Sequence, residues 1–406
     1  MKLIQGGITA PKGFAAAGDN IGIKANKKDF ALVYSKEACE FAGAFTTNVV
    51  KAAPVHWNKA LLERGGKVHA IAVNSGNANA ATGLQGEKDS ADTASYVAAE
   101  LGITQKEVLV CSTGVIGVPM PMDTIKEGVK KVAPELEESF EGGEKAAEAI
   151  MTTDTVKKTI ALEDEIDGVV VKVGGMGKGA GMIHPNMATL LGFVTTDVNI
   201  TKEMLQKALS KAINTSFNMI TVDGDTSTND TVLVLANGTA GNKLIDSEGE
   251  AFDKFYTMLY EACKYLAVSI AKDGEGATKL LQVELKGAKD FETGKTLAKS
   301  ILTSNLVKTA MFGEDANWGR IFCAMGYSGI DFDPNKVDIS FKSNAGSIAV
   351  LKAGLPIIFD EDKAKEILEE KEIIIDVTMQ EGTENVTAWG CDLSYDYVKI
   401  NGDYRS

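Results

Sequence analysis

The most informative stretch of the chain covers residues 168–197, which read GVVVKVGGMGKGAGMIHPNMATLLGFVTTD. The β-branched run Gly168–Val173 and the apolar run Leu190–Val194 are typical of β-strands. The glycine-rich segment 174–181 lies between them and follows the first strand directly. Glycine adopts backbone conformations that other residues avoid, so this segment predicts a tight turn.

Strands and helices are predicted along the whole chain. Other β-branched runs that predict strands are Phe30–Tyr34, His69–Val73, Glu107–Val110, Thr231–Leu235 and Glu372–Val377. Helical segments are predicted at Phe252–Ala271 and Thr201–Ile213, where apolar residues recur along one face, and in the alanine-rich stretch that starts at Ser90 and precedes Gly102. This mixture predicts the α/β (α+β) class.

Composition and charge exclude several classes of protein. The chain has 406 residues, of which 44% are hydrophobic and 24% charged, as in folded globular proteins of two or three structural units. Its net charge of −14 disfavours a nucleic-acid partner, because phosphate binding needs a concentrated basic surface. The first residues lack the apolar core of a signal peptide, and no segment approaches the ~20 apolar residues that span a bilayer. We therefore expect a cytoplasmic protein without a membrane partner.

Metal and nucleotide motifs are missing from the sequence. The five cysteines are scattered without a CxxC pair and the three histidines form no HExxH, so we expect no metal site and no disulfide framework. The glycine cluster fails the Walker A pattern because Gly179 follows Lys178 where a hydroxyl residue is required. It also fails GxGxxG, because Met182 replaces the third glycine.

Thr189 is a candidate nucleophile. A threonine hydroxyl needs a base, and cleavage of the chain just before it would supply the threonine's own α-amine. The pKa of such an amine is about 7.7–8.0, so much of it is uncharged at neutral pH. On local sequence alone, however, an Ala-Thr pair before a strand is more often a plain structural feature.

The segment from Gly177 to Thr189, GKGAGMIHPNMAT, resembles the self-cleavage motif of the ornithine acetyltransferase family of arginine biosynthesis. Further matching motifs in family order are Gly6–Phe14, Phe45–Asn48, Asn74–Asn79, Ser112–Gly117, Ile150–Asp154, Asp223–Asp230, Asp273–Lys279, Val307–Ala310 and Tyr397–Ser406. The resemblance extends essentially from end to end. His184 and Leu190 depart from the expected motif without touching the proposed chemistry.

The resemblance implies autoproteolysis between Ala188 and Thr189. It gives an α chain of residues 1–188 and a β chain of residues 189–406, assembled as an α2β2 heterotetramer. The implied fold is a layered αββα sandwich similar to N-terminal-nucleophile hydrolases but with different connectivity.

The implied activity is a ping-pong transfer of the acetyl group from N2-acetyl-L-ornithine to L-glutamate through an acetyl ester on Thr189. It needs no cofactor, although acetyl-CoA is a possible second acetyl donor; the sequence does not separate bifunctional from monofunctional members. Thr113 and Gly114, placed in a turn after the strand Glu107–Val110, are implied to stabilise the oxyanion. The implied substrate-binding residues are Thr152, Lys178, Thr189, Glu275, Asn401 and Ser406.

Two other classes stay open. An N-terminal-nucleophile amidohydrolase or aminopeptidase would make the same cut but pass the acyl group to water. A non-catalytic metabolite-binding protein would stay uncut.

Overall fold

The computed structural model describes residues 1–184 and 190–403. The strands in these ranges are β1 Lys2–Leu3, β2 Phe14–Asp19, β3 Phe30–Phe45, β4 Val68–Asn77, β5 Val108–Val115, β6 Lys158–Ile166, β7 Val169–Lys178, β8 Leu191–Thr196, β9 Thr231–Ala236, β10 Leu280–Ala288, β11 Asp338–Ser343, β12 Gly346–Lys352, β13 Leu355–Pro356, β14 Glu372–Thr378 and β15 Glu384–Cys391. The α-helices are α1 Ala53–Arg64, α2 Gly83–Leu101, α3 Met122–Val132, α4 Phe140–Ala149, α5 Lys202–Asn214, α6 Glu250–Lys272, α7 Phe291–Thr303, α8 Asn305–Phe312, α9 Trp318–Gly326, α10 Glu361–Leu368 and α11 Tyr395–Asp403.

The long strand β3 joins two sheet layers. Its first part, Phe30–Ser35, pairs antiparallel with β2, and β4 pairs with the same part through Phe30–Tyr34. Its last part, Glu40–Phe45, pairs antiparallel with β9 after a register shift between Tyr34 and Cys39. One layer therefore has the order β1-β6-β7-β8-β9-β3, and the other contains β2, β3, β4 and β5. Because β3 belongs to both, the layers are held together by one continuous strand.

Alternating side chains show how these layers stack. In β9, Leu233 and Leu235 pack in a core that they share with Ile71 and Val73 of β4. The intervening β9 residues point to the opposite core, which contains α5 and α6, whereas the intervening β4 residues pack with α2 and α3. Since successive strand residues face opposite sides of a sheet, the order of layers is helix, sheet, sheet, helix. The predicted α/β class and its αββα layering are confirmed.

A second sheet lies outside this sandwich and was not predicted. Its strand order is β13-β12-β11-β14-β10-β15, with β10 and β14 parallel and the remaining pairs antiparallel. The predicted strand Glu372–Val377 is β14 of this sheet. Helix α7 packs on β10 and β15. Apolar residues of α7, β10 and β15 belong to the same hydrophobic core as those of α6.

The three predicted helices are confirmed. The ends of α5 and α6 shift by one or two residues, whereas α2 begins seven residues before its predicted start. Thr201 caps α5 by accepting a hydrogen bond from the N–H of Met204, as N-cap threonines do. Helix α6 buries the predicted apolar face, and its last residue Lys272 is followed by Asp273 and Gly274. The alanine-rich helix α2 begins earlier than predicted and ends at Leu101, before a left-handed Gly102.

The turn predicted at Gly174–Gly181 is wrong for its first half. Strand β7 continues to Lys178 and pairs with β6 and β8 on either side. A Cβ on Gly174 would lie 2.1 Å from the carbonyl oxygen of Gly7, and one on Gly175 would lie 3.2 Å from the side chain of Leu266. Glycines here allow neighbouring segments to approach the strand closely, so they serve packing rather than a turn.

All five cysteines lack a disulfide; Cys323 is exposed and the other four are buried. Within residues 1–184 and 190–403, no helix combines the length and the apolar character that crossing a bilayer requires.

Candidate active site

A cavity of about 270 Å³ opens beside the ends of β5, β7 and β9. Six of the predicted site residues line it, namely Thr113, Gly114, Thr152, Lys178, Glu275 and Asn401. They come from distant parts of the sequence, and the fold brings them to one place. Leu190, the residue that follows the predicted nucleophile, also lines the cavity. The predicted residues Ala188, Thr189 and Ser406 lie outside the described residues.

Thr113 and Gly114 belong to strand β5, so the turn predicted for them is wrong. The pairing of β5 with β4 becomes irregular at this point, where Asn77 pairs with both Thr113 and Val115. Gly114 has a φ of 135°, and a Cβ there would lie 2.3 Å from the carbonyl carbon of Gly76. Only glycine fits this backbone, which turns Thr113 and Gly114 out of the regular ladder at the cavity wall.

Lys178 is the last residue of β7, and its side chain is buried. Its Nζ donates a hydrogen bond of 3.2 Å to Thr113 Oγ1. An ammonium group can only donate, so the Thr113 hydroxyl accepts this bond and keeps its own hydrogen for another acceptor. Burial lowers the pKa of Lys178, although the nearby carboxylate of Asp154 opposes that shift.

Close to Lys178 lies a buried ionic cluster that was not predicted from the sequence. Lys158 Nζ lies 2.6 Å from Asp154 Oδ1 and 2.5 Å from Asp273 Oδ2. Asp154 also accepts hydrogen bonds from the backbone N–H groups of Gly179 (2.7 Å) and Thr152 (3.0 Å). Burial alone would raise the pKa of Asp154, but the charges of Lys178 and Lys158 outweigh it and lower that pKa to about 2. This carboxylate therefore fixes the backbone at Thr152, which lines the cavity, and at Gly179, which follows Lys178.

Glu275 supplies a carboxylate to the same cavity. Its backbone N–H donates to Ala180 O at 2.8 Å, and its side chain packs so closely on Gly181 that a Cβ there would lie 2.3 Å from Oε2. Asn401 Nδ2 of the C-terminal helix α11 donates a hydrogen bond of 2.8 Å to Glu275 Oε2. The cavity thus has an ammonium from β7 and a carboxylate held by α11.

The segment before β9 also lines the cavity and received no role from the sequence. Asn229 Nδ2 donates to Ala78 O (2.6 Å) and to Ser112 O (2.8 Å), which ties this segment to the strand residue before Thr113. Asp230 is buried beside it. Both residues belong to the motif Asp223–Asp230. The resemblance of that motif was the sequence signal that could have identified them, because neither residue lies in a local pattern that marks a site.

The described residues of this site hold no group of metal ligands. Residues 1–184 and 190–403 contain no cluster of three or more His, Cys, Asp or Glu side chains arranged to hold a metal ion.

Comparison with known proteins adds independent evidence. The ArgJ family model matches residues 15–406. The arginine biosynthesis bifunctional protein ArgJ of Caldanaerobacter subterraneus subsp. tengcongensis is 53% identical over 406 residues and covers all of both chains.

Two solved structures are similar over parts of the chain. The ArgJ bifunctional protein of Bacillus halodurans is 49% identical with a TM-score of 0.51, covering 53% of this chain and 100% of the solved one. The ornithine acetyltransferase of Mycobacterium tuberculosis, solved with ornithine, is 46% identical with a TM-score of 0.42, covering 47% of this chain and 98% of that one. Because the family model and the full-length relative both span nearly the whole sequence, the chain belongs to the ArgJ family.

Proposed function

We propose that this chain is a self-cleaving acyltransferase of arginine biosynthesis that moves the acetyl group of N2-acetyl-L-ornithine to L-glutamate. The observation that carries the proposal is the cavity itself, which gathers Thr113, Gly114, Thr152, Lys178, Glu275 and Asn401 beside Leu190. The name of the relative from Caldanaerobacter supports the same pathway.

The first reaction is cleavage of the chain. The Thr189 hydroxyl attacks the carbonyl carbon of Ala188, the C–N bond breaks, and water hydrolyses the resulting ester. The products are an α chain of residues 1–188 and a β chain that begins with Thr189. Residues 189–406 are 218 of the 406 residues, or 54% of the chain. The similar solved chain from Bacillus halodurans is covered completely by 53% of this chain, which supports a mature subunit of that size.

Acetyl transfer then uses the freed α-amine of Thr189 as base. The Thr189 hydroxyl attacks the acetyl carbonyl, ornithine leaves with the proton, and an acetyl ester remains. The amine of glutamate attacks this ester and regenerates the hydroxyl. One N-acetyl amide replaces another in this ping-pong cycle, so no cofactor is needed. Acetyl-CoA would load the same hydroxyl if the enzyme is bifunctional.

The charges of the cavity suit acetylornithine. Acetylornithine carries a carboxylate and a terminal ammonium, and the cavity offers Lys178 and Glu275 for these groups. We assign Glu275 to the ammonium of ornithine, with Thr152, Asn401 and Ser406 as further contacts.

Oxyanion stabilisation is assigned to the irregular end of β5. The Thr113 hydroxyl, which accepts from Lys178, is free to donate its own hydrogen, and Gly114 offers a backbone N–H. Donors fixed at a developing oxyanion are worth roughly 3–4 kcal/mol each.

The proposal includes an α2β2 assembly in the cytoplasm. A second candidate, an amidohydrolase, differs only in passing the acetyl group to water. Incubation with acetylornithine and glutamate separates the two, because the transferase yields N-acetylglutamate and the hydrolase yields acetate.

The decisive variant is Thr189→Ala. We expect it to stay a single chain of 43.0 kDa on denaturing electrophoresis and to form no N-acetylglutamate. Thr189→Ser is the matched control, since it keeps a hydroxyl and should still mature and transfer acetyl groups. Normal cleavage of Thr189→Ala would contradict the assignment of the nucleophile. A wild-type chain that stays uncut would instead favour a non-catalytic binding protein.

A further inference from the structure

Asp230 is a buried carboxyl group in the wall of the cavity, directly before strand β9. Its exposed fraction is 2%. Among the residues that the structure describes, its Oδ2 atom has no hydrogen-bond partner. Burying a carboxyl oxygen without a partner is costly, and such atoms are rare in folded proteins. This cost calls for a functional explanation, particularly at a site where chemistry is proposed.

The surroundings of Asp230 lead to the cleavage site. The backbone N–H of Leu190 stabilises the charged form of the carboxyl, and Leu190 O accepts a hydrogen bond of 2.8 Å from Thr231 N. The nitrogen of Leu190 is covalently bonded to the carbonyl of Thr189. Asp230 therefore contacts the residue that follows Thr189 in the chain, and Asp230 and Leu190 line the same cavity.

The chemical environment lets this carboxyl hold a proton. Burial raises the pKa of Asp230 well above its ordinary value, and this outweighs the opposing effects of the Ser227 and Thr46 hydroxyls and of the Lys178 charge. A carboxylate with a raised pKa is a stronger base than an exposed aspartate, and its protonated form can return the proton as an acid.

Self-cleavage needs such a group. In the mature enzyme the α-amine of Thr189 serves as base, but before cleavage that nitrogen is part of a peptide bond and is not basic. Some other group must remove the proton from Oγ1 and return it to the leaving nitrogen.

We propose that Asp230 is the proton-transfer group of self-cleavage, an inference that rests on the proposed function. As Thr189 Oγ1 bonds to the carbonyl carbon of Ala188, its proton moves to the Asp230 carboxylate. When the C–N bond breaks, Asp230 gives this proton to the nitrogen, which becomes the free α-amine. Water then adds to the ester and releases the Ala188 carboxylate and the Thr189 hydroxyl. The carboxyl ends the cleavage step as it began, and no other reagent is consumed.

The other ionisable groups of the cavity are less suited to this step. Lys178 donates its hydrogen bond to Thr113, and Glu275 accepts one from Asn401. Only Asp230 among these three combines a carboxylate oxygen without a described partner with a contact to the Leu190 backbone.

The test uses the full chain made by cell-free translation, with the cut fraction followed over time by denaturing electrophoresis and intact mass. Asp230→Asn keeps the shape of the side chain and removes its ability to accept the proton. We expect cleavage at least about 100-fold slower than in the wild type, since general acid–base groups contribute about 10²–10⁴-fold. Asp225→Asn is the matched control, an exposed carboxylate in the same segment that does not line the cavity. It should cleave at the wild-type rate.

A second pair of variants separates proton transfer from a structural role and covers the case in which Asp230→Asn fails to fold. Asp230→Glu restores a carboxyl and should regain cleavage. Asp230→Ala leaves space for formate, and we expect added formate, but not chloride, to accelerate its cleavage in proportion to concentration.

Cleavage of Asp230→Asn within threefold of the wild-type rate would overturn the inference. So would a folded Asp230→Ala that formate leaves unchanged. If Thr189→Ala stays uncut while Asp230→Asn cleaves normally, only the role of Asp230 is wrong. If Thr189→Ala itself matures, the proposed function fails.

Discussion

Removing the charge of Lys158 tests whether this residue stabilises the folded protein by neutralising two buried carboxylates. The Lys158 side chain is 1% exposed and contacts two carboxylates, Asp154 and Asp273, whose side chains are 0% and 7% exposed. Lys158→Met keeps most of the side-chain volume but leaves both carboxylates without their shared cation. Breaking a buried ion pair by removing one partner costs about 3–5 kcal/mol.

This cost translates into a measurable shift of the melting temperature. Unfolding entropy is about 2.1 cal/mol/K per residue, which for 406 residues gives roughly 0.85 kcal/mol per degree. We therefore expect Lys158→Met to melt about 4–6 °C below its parent. Thermal melting is followed in the Thr189→Ala background, so that self-cleavage does not change the number of chains that unfold.

The neighbouring Lys157 provides a matched control. Its side chain is 38% exposed and pairs with Glu144 at the surface. Exposed ion pairs contribute about 0–1 kcal/mol, so Lys157→Met should melt within about 1 °C of the parent. Equal melting temperatures for the two methionine variants would refute the reasoning that Lys158 neutralises buried charge.

The loss of stability in Lys158→Met is also expected to depend on pH. In the wild type, Lys158 and Lys178 hold the pKa of Asp154 at about 2, below the ordinary 3.8, so this group's contribution to stability is present above pH 4 and is lost as the pH falls toward 2. Without Lys158, one of the two charges that lower the pKa of Asp154 is lost, so this pKa rises from its wild-type value while Lys178 still opposes burial. The wild type then has more of this stabilisation to lose on acidification, so the deficit of Lys158→Met should shrink as the pH falls from 4 toward 2. A deficit that stays constant over this range would show that lost packing, rather than charge, causes it.

Two further variants test the cavity wall and the substrate contacts. Gly114→Ala places a Cβ 2.3 Å from Gly76 C on a backbone with φ of 135°, so we expect a loss of about 2–5 kcal/mol in unfolding free energy and a strong loss of acetyl transfer, measured by chemical denaturation and by kcat/KM. Gly117→Ala, with no atom within 4 Å of the new Cβ, should lose about 1 kcal/mol, and a similar loss in both would contradict the close approach of β4 and β5. Asn401→Ala removes the 2.8 Å hydrogen bond to Glu275 and should raise KM for acetylornithine about tenfold with little change in melting temperature. Lys399→Ala on the same exposed helix is the control, and an unchanged KM in Asn401→Ala would exclude its assigned contact.

The regular elements were predictable because their signals are local. The β-branched run at Thr231–Leu235 is strand β9, and the apolar periodicity of residues 252–271 is helix α6. The glycines at 174–177 were misread as a turn because their reason lies elsewhere in the chain, in the carbonyl of Gly7 and the side chain of Leu266. A local pattern cannot show which distant segment packs against it.

The candidate site was predictable only in part, for the same reason. Thr113, Lys178 and Glu275 came from motif resemblance, and the fold brings them into one cavity. The cluster of Lys158 with Asp273 joins residues 115 positions apart, and neither residue carries a spacing that marks it as a partner of the other. Asp230 lay in a recognised motif, but its importance depends on burial and on an oxygen without a described partner, which are properties of the folded chain.

The position of the proposed cut explains how two chains can remain one catalytic unit. In the sandwich, β8 and β9 come from residues after the cut, yet they lie between β7 and β3, which come from residues before it. β8 pairs antiparallel with β7 from Lys178↔Leu191 to Val173↔Thr196, and β9 pairs with β3 over six positions. Cleavage of one peptide bond removes none of these backbone hydrogen bonds and exposes none of the shared core. On this proposal, the free energy that folds the intact chain also holds the α and β chains together, so we expect the two chains to stay associated after cleavage.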